Sequence, residues 1–228
     1  AALDLVCAGA AEAIVAAPHS DTAVAAAGIA FSGYPGLIAD LTGTPRDRVF
    51  MMLVGGGLRV LHVTLHESTR SALDRLTQDL VIAAGEAADS ALRRLGIAAP
   101  RIGVFGINPH AGEGGLFGDE DARITEPAVA ALRHAGIRAE GPTGADVLLA
   151  ARAHDGYLAM LHDQGHIPVK LLAPRGAAAI TVGAGVVFAS VGHGSAFDIA
   201  GRGVADPAAV LRTLRLLAGR LLVGDPPG

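Results

Sequence analysis

Three short apolar runs in this chain each end in a histidine. His62-Val63-Thr64-Leu65-His66-Glu67 closes the first and Gly106-Ile107-Asn108-Pro109-His110-Ala111-Gly112-Glu113-Gly114-Gly115 the second. The third, Tyr157 to Leu161, runs into Leu161-His162-Asp163-Gln164-Gly165-His166-Ile167-Pro168-Val169-Lys170. Short apolar runs bounded by turn signals read as buried strands. Polarity gathered just past a strand marks the rim of a parallel sheet, where α/β proteins place their sites. The pattern constrains the chain to an α/β fold with its chemistry at the strand exits.

The rest of the chain agrees with that reading. Residues 2–13 read as the end of an Ala-rich helix, 13–17 as a strand, 21–27 as a helix and 28–36 as a turn-rich stretch before a helix over 37–42. Runs 49–54 and 58–65 flank Gly55-Gly56-Gly57 as a hairpin-like pair. Residues 67–95 carry helical periodicity through Leu73, Leu76, Leu80 and Ala84, stopped by Gly96. A strand over 101–107, helices over 126–135 and 147–153, two short strands within 178–191 and an amphipathic helix over 207–222 follow, with a loose tail. Strands alternating with helices predict a largely parallel sheet covered on both faces.

Composition narrows the function classes. The 228 residues can bury a large core, with 51% hydrophobic and 18% charged residues. A net charge of −4 without a basic cluster argues against nucleic acid. The single Cys7 excludes an intrachain disulfide and fits a reducing compartment. With no signal peptide and no apolar run of the ~18 residues that a membrane helix needs, the expectation is a cytoplasmic protein without membrane contact. The chain opens at Ala1-Ala2-Leu3-Asp4 without a Met, in what reads as a helix, so an N-terminal segment is expected to be missing.

His66, His110 and His162 each follow an apolar run, and imidazole is a common ligand for divalent metals. Three such ligands on one ion would leave positions for substrate oxygens. Each could equally be a satisfied polar residue at a strand end. The remaining histidines, His62 and His166 among them, read as surface, loop or ligand-supporting residues. Ala111-Gly112-Glu113-Gly114-Gly115 resembles a phosphate cradle but lacks the Lys-Ser/Thr of a P-loop, and a tight turn explains it as well. Lys170 is either a surface lysine or an acid/base group for a substrate hydroxyl.

His193-Gly194-Ser195-Ala196-Phe197-Asp198-Ile199-Ala200-Gly201 resembles the His-Gly-Ser-Ala-Pro-Asp-Ile-Ala-Gly loop of the isocitrate and isopropylmalate dehydrogenases, with Phe197 in place of the proline. Together with Asn108 to Gly115, Gly141-Pro142, Ala145-Asp146, His162-Asp163-Gln164-Gly165 and Lys170, it resembles the 4-hydroxythreonine-4-phosphate dehydrogenase family over residues 1–215. The resemblance implies an α/β, two-lobed isocitrate dehydrogenase-like fold with mostly parallel sheets, N-terminally incomplete here. Residues 31–176 would form the metal, substrate and dimerisation lobe. Residues 1–30 with 177–228 would form the cofactor side. It also implies a homodimer with a shared site. Metal would sit on His66, His110 and His162, with zinc the first choice and Mg, Mn, Co or Fe as alternatives. Lys170, Asp163 and Asp146 would be catalytic, and His193, Gly194, Ser195, Ala196 and Asp198 would hold NAD or NADP.

The departures bear on substrate. The family's phosphate-using enzymes carry Gly-His-Thr at Gly33-Tyr34-Pro35, Asn at Ala179, Arg at Phe188 and Asp-His-Gly at Gly192-His193-Gly194. Residues 28–35, 62–68 and 190–203 look more like the branch that oxidises aromatic cis-dihydrodiols such as terephthalate dihydrodiol. The expected activity is therefore metal- and NAD(P)-dependent oxidation, with decarboxylation, of a secondary hydroxyl β to a carboxylate. The alternatives are 4-hydroxythreonine-4-phosphate oxidation in vitamin B6 synthesis, or a truncated, non-catalytic metal-binding or scaffold homologue.

Overall fold

The apolar runs pair into one mixed sheet. The computed structural model describes residues 1–29, 31, 33–174 and 176–219. Its strands are β1 (Ile14–Ala16), β2 (Phe50–Gly55), β3 (Leu58–His62), β4 (Arg101–Phe105), β5 (Arg138–Thr143), β6 (Gly156–Ala159), β7 (Ala178–Val182) and β8 (Phe188–Val191). They lie in the order β1-β8-β7-β2-β3-β6-β4-β5. The pairs β1–β8, β3–β6, β6–β4 and β4–β5 are parallel; β8–β7, β7–β2 and β2–β3 are antiparallel. The fold is mixed α/β with a mostly parallel sheet. β1, β7 and β8 come from the two chain ends and the other five strands from the middle of the chain.

Nine helices are described: α1 (Ala2–Cys7), α2 (Asp21–Ala26), α3 (Tyr34–Thr42), α4 (Thr69–Arg75), α5 (Gln78–Arg94), α6 (Glu126–His134), α7 (Ala145–Ala151), α8 (His162–Leu172) and α9 (Ala208–Leu217). The larger core joins α5, α6 and α9 to one face of the sheet through Val81, Leu92, Val129, Leu132 and Leu216. α7 and α8 cover the other face, with Leu148 and Val169 packed on Leu53, Val60 and Tyr157. Both faces are thus buried, as parallel strands require.

Three elements differ from the sequence reading. The helix expected over 67–95 breaks in two, because Leu76 turns extended and buries its side chain. Thr77 then caps α5, its hydroxyl accepting from the Leu80 amide at 3.2 Å. β5 is an additional strand, and its Gly141-Pro142 segment carries no apolar signal of its own. Residues 162–172 form a helix despite Gly165 and Pro168. The expected loose tail and the end of the last helix fall on residues 220–228, outside those described.

Leu92 is fully buried between α5, the sheet and α6, whereas Leu41 on α3 is 60% exposed. Leu92→Ala is expected to cost about 2–5 kcal/mol in denaturant unfolding. Leu41→Ala is expected to stay within about 0.5 kcal/mol.

Candidate active site

One face of β2, β7 and β8 forms the floor of a cleft of about 470 Å³. Side chains alternate along a strand, so Met52, Ile180 and Ala189 enter the core while Met51, Leu53, Ala179, Thr181 and Ser190 face the cleft. The register sets these in rows, with Met51 opposite Thr181, Leu53 opposite Ala179, and Ala179 opposite Ser190.

The first wall is α8. Gln164 fixes its start: the amide oxygen accepts from the Met160 and Leu161 N–H groups, both at 3.0 Å. The amide nitrogen donates to the Gly106 carbonyl at 2.9 Å, tying the exits of β6 and β4 together. From that anchored start, His162, His166 and Lys170 recur four residues apart on one helix face. The His162 and His166 rings stack at 3.7 Å with planes 13° apart. Lys170 Nζ donates to the Gly192 carbonyl at 2.5 Å, just past β8. Burial lowers the pKa of Lys170. It is the one lysine or arginine among the described residues that line the cleft.

His62 and His66 come from β3 and the loop after it. His62 is fully buried, its Nδ1 3.3 Å from the Met51 carbonyl and its Nε2 3.0 Å from Nδ1 of His166. Burial, reinforced by the other histidines, pushes the His62 pKa down to about 3. His166 falls to about 4, mainly through burial and then through His162 and Lys170. The sequence reading left both rings outside the chemistry. The signal that could have found them was His162/His166 spacing on one helix face together with a histidine ending an otherwise apolar β3.

His66 and His162 approach to 5.6 Å between ring centroids. Two imidazoles sharing one tetrahedral ion at about 2.1 Å have a comparable spacing. Nδ1 of His162 meets the Asp163 carboxylate at 2.7 Å, leaving Nε2 for another partner, the pattern by which a carboxylate orients a metal-binding histidine. The donor chemistry fits a divalent metal.

His110 stands apart from that pair. It lies on a turn whose His110, Ala111 and Glu113 hold left-handed φ values of 52°, 54° and 44°, uncommon outside glycine. Buried Asp121, which sequence reading missed, holds the entrance to this turn by accepting from the Ile107 and Asn108 N–H groups at 2.8 and 2.9 Å. His110 itself is exposed, with Phe117 as its ring neighbour. Among the described residues, no three or more His, Cys, Asp or Glu gather to hold a metal within one chain. Asp146 is exposed in the first turn of α7 and is not among the residues lining the cleft.

The second wall is aromatic. Phe31 and Tyr34 meet edge to face at 5.5 Å, and His19 packs on both. Phe188 lies 4.5 Å behind Tyr34, buried, so it shapes the cleft through Tyr34 instead of lining it. Past Gly192 the chain enters the loop of His193, Gly194, Ser195, Ala196 and Asp198. There Ala196 is left-handed at φ 47°, and His193 Nδ1 lies 3.1 Å from the Gly194 carbonyl. Ser195 Oγ is buried with no hydrogen-bond partner among the described residues. Asp198 is exposed.

Comparison with known proteins gives the family of the chain. A 1,2-dihydroxy-3,5-cyclohexadiene-1,4-dicarboxylate dehydrogenase of Comamonas sp. is 60% identical over 93% of this chain and 67% of its own length. A D-threonate 4-phosphate dehydrogenase of Cupriavidus necator is 50% identical over 90% of this chain and 62% of its own. The crystal structure of a terephthalate 1,2-cis-dihydrodiol dehydrogenase from Burkholderia xenovorans LB400 superposes with a TM-score of 0.80 at 54% identity, covering 96% of this chain and 70% of that one. A 4-hydroxythreonine-4-phosphate dehydrogenase from Klebsiella pneumoniae superposes at 0.83 and 42% identity, over 95% of this chain and 68% of that one. The chain thus spans about two thirds of the length of these relatives. Residues 1–217 match the model of the pyridoxal phosphate biosynthetic protein PdxA, and the chain belongs to that family.

Proposed function

We propose that the protein oxidises the secondary hydroxyl of a cis-dihydrodiol carboxylate, with NAD or NADP as hydride acceptor and with loss of CO2 from the β-keto acid formed. The observation that carries this reading is the composition of the cleft. One wall is aromatic, and Lys170 is the only lysine or arginine among its described lining residues. A flat ring bearing one or two carboxylates suits such a cleft better than a phosphate monoester, whose charge calls for several charged donors. The name of the Comamonas relative points the same way.

His66 and His162 would hold a divalent metal, zinc by preference, with His110 of a second copy completing the set in a homodimer. That assignment is supported by the His66–His162 spacing and by the exposure of His110. Such an ion supplies Lewis-acid polarisation of the hydroxyl and of the ketone that follows. The chain's own residues do the rest. Asp163 orients His162. Lys170, its ammonium disfavoured by burial, would accept the hydroxyl proton at Nζ, and a bound dinucleotide would supply the hydride acceptor. The carboxylate then leaves as CO2, and its bonding electrons pass into the enolate. The loop after Gly192 would hold the adenosine half of the cofactor. The two end segments would form its lobe, with residues 31–176 as the other.

The deciding experiment supplies the complete protein with NAD+ or NADP+ and a divalent metal, then compares two substrates. Turnover of 1,2-dihydroxy-3,5-cyclohexadiene-1,4-dicarboxylate in preference to 4-phosphohydroxythreonine is expected; the opposite preference replaces this reading with a vitamin B6 enzyme.

Two variants probe the assignment. Ala179→Asn, on the cleft floor, should lower diol turnover and raise any activity on the phosphate substrate by about 3–10-fold, the worth of one hydrogen bond. Ser195→Ala should raise the KM for the dinucleotide about 3–10-fold with little change in the KM for the diol, read from initial rates.

A further inference from the structure

His62 and His166 form a pair that the reading above does not use. Nδ1 of His62 faces the Met51 carbonyl, which can only accept, so the hydrogen of that ring sits on Nδ1. No carboxylate bonds to His62 among the described residues, and a buried cation without one is costly, so the ring is neutral and its Nε2 is an acceptor. Nδ1 of His166, 3.0 Å away, must then be the donor. His166 likewise has no carboxylate partner among the described residues and shares the cleft with the Lys170 ammonium, so this ring is neutral too. A neutral imidazole carries one N–H, which leaves Nε2 of His166 with a bare lone pair.

The packing holds that arrangement in place. His166 is stacked on His162 on one side and lies 4.6 Å from His62 on the other, so the ring has little room to turn. Its Nδ1 edge faces buried His62 while the ring lines the cleft, so Nε2 is the atom left to face the cleft. α8 lies so close over β3 that a Cβ at Gly165 would collide with Nε2 of His62 and with Val60. The glycine at this helix position lets the two histidines meet.

We propose that His62 is a positioning residue that holds His166 with Nε2 open to the cleft as a hydrogen-bond acceptor. His166 in turn recognises the hydroxyl next to the one oxidised, making the site selective for vicinal diols. The substrate part rests on the functional reading above. A lone pair welcomes an O–H and repels the oxygens of a phosphate or carboxylate, which are acceptors themselves. A vicinal diol offers two hydroxyls: one reacts beside His66 and His162, and its neighbour reaches the His166 end of the same helix face.

Long-range proton–nitrogen spectra of the complete protein labelled with 15N-histidine read the arrangement directly, without substrate. The expected result is hydrogen on Nδ1 and a bare Nε2 in both rings, with His166 moving to the Nε2–H form in His62→Leu. Hydrogen on Nε2 of His166 in the unaltered protein, as a tautomer or a doubly protonated ring, overturns the proposal. In kinetics, His62→Leu and His166→Leu should each raise the KM for the cis-diol carboxylate about 3–10-fold, more than they change kcat. The double variant should be no worse than His166→Leu, because the first residue acts through the second. His166→Gln, which keeps an acceptor, should recover most of the loss. Both Leu variants should also lose the preference for the diol over its mono-hydroxy analogue; additive losses or an unchanged preference overturn the role. Should the Leu variants not fold, the spectra of the unaltered protein still decide. If that protein turns over no diol carboxylate, the functional reading fails while the spectra still test the histidine pair.

Discussion

The pairing of β2 with β7 is the constraint on which the site depends. It joins strands from the middle of the chain to strands from its end, through five aligned residue pairs from Phe50–Val182 to Val54–Ala178. Because the pairing is antiparallel, alternation on both strands is fixed at once, and a slip of one residue would turn every cleft residue into the core. Met51 and Thr181 face the cleft only in this register. Met51 also has a second role: its side chain lies in the floor while its carbonyl receives the hydrogen of His62. The sheet seam and the histidine cluster are thus joined at one residue.

α8 then converts that floor into a site. Its start is fixed by a side chain, Gln164, bonded to three backbone groups across two strand exits. Each backbone group would otherwise need another partner at a helix start, so the amide both stabilises the helix and sets its direction. The direction lays the helix over β2 and β3, with His166 meeting His62 and Lys170 reaching the Gly192 carbonyl past β8. Asp121 does the same for the neighbouring turn, where its carboxylate offsets the cost of left-handed residues at 110, 111 and 113.

Much of this was legible in the sequence, because it rests on local patterns. Histidines at the ends of apolar runs located the strand exits, and Gly55-Gly56-Gly57 marked the β2–β3 hairpin. What escaped depends on partners distant in the chain. Residues 162–172 carry a glycine and a proline, and their helix is fixed by Gln164 reaching Gly106. β5 has few apolar residues because the parallel partner β4 supplies its order. His62 was grouped with the surface, loop or ligand-supporting histidines, yet it is among the most buried described side chains, since Met51 and His166 satisfy both of its nitrogens. Phe188 was tied to substrate through the family resemblance, which sets an Arg at its place, and only packing shows that it stands behind Tyr34.

Lys170 is held by a backbone carbonyl, that of Gly192, and a Cβ at position 192 would fall on its ammonium. No side-chain replacement can remove an acceptor that every residue carries. The anchor is therefore hidden from ordinary mutational scanning, which would report position 192 as sensitive to bulk and never as a hydrogen-bonding partner. What moves the ammonium is the path of the main chain, so insertions or deletions just after β8 reach the cleft more directly than substitutions there do. In the divergence of such a cleft, the length of that loop is a lever on where the ammonium sits that a comparison of side chains alone would overlook.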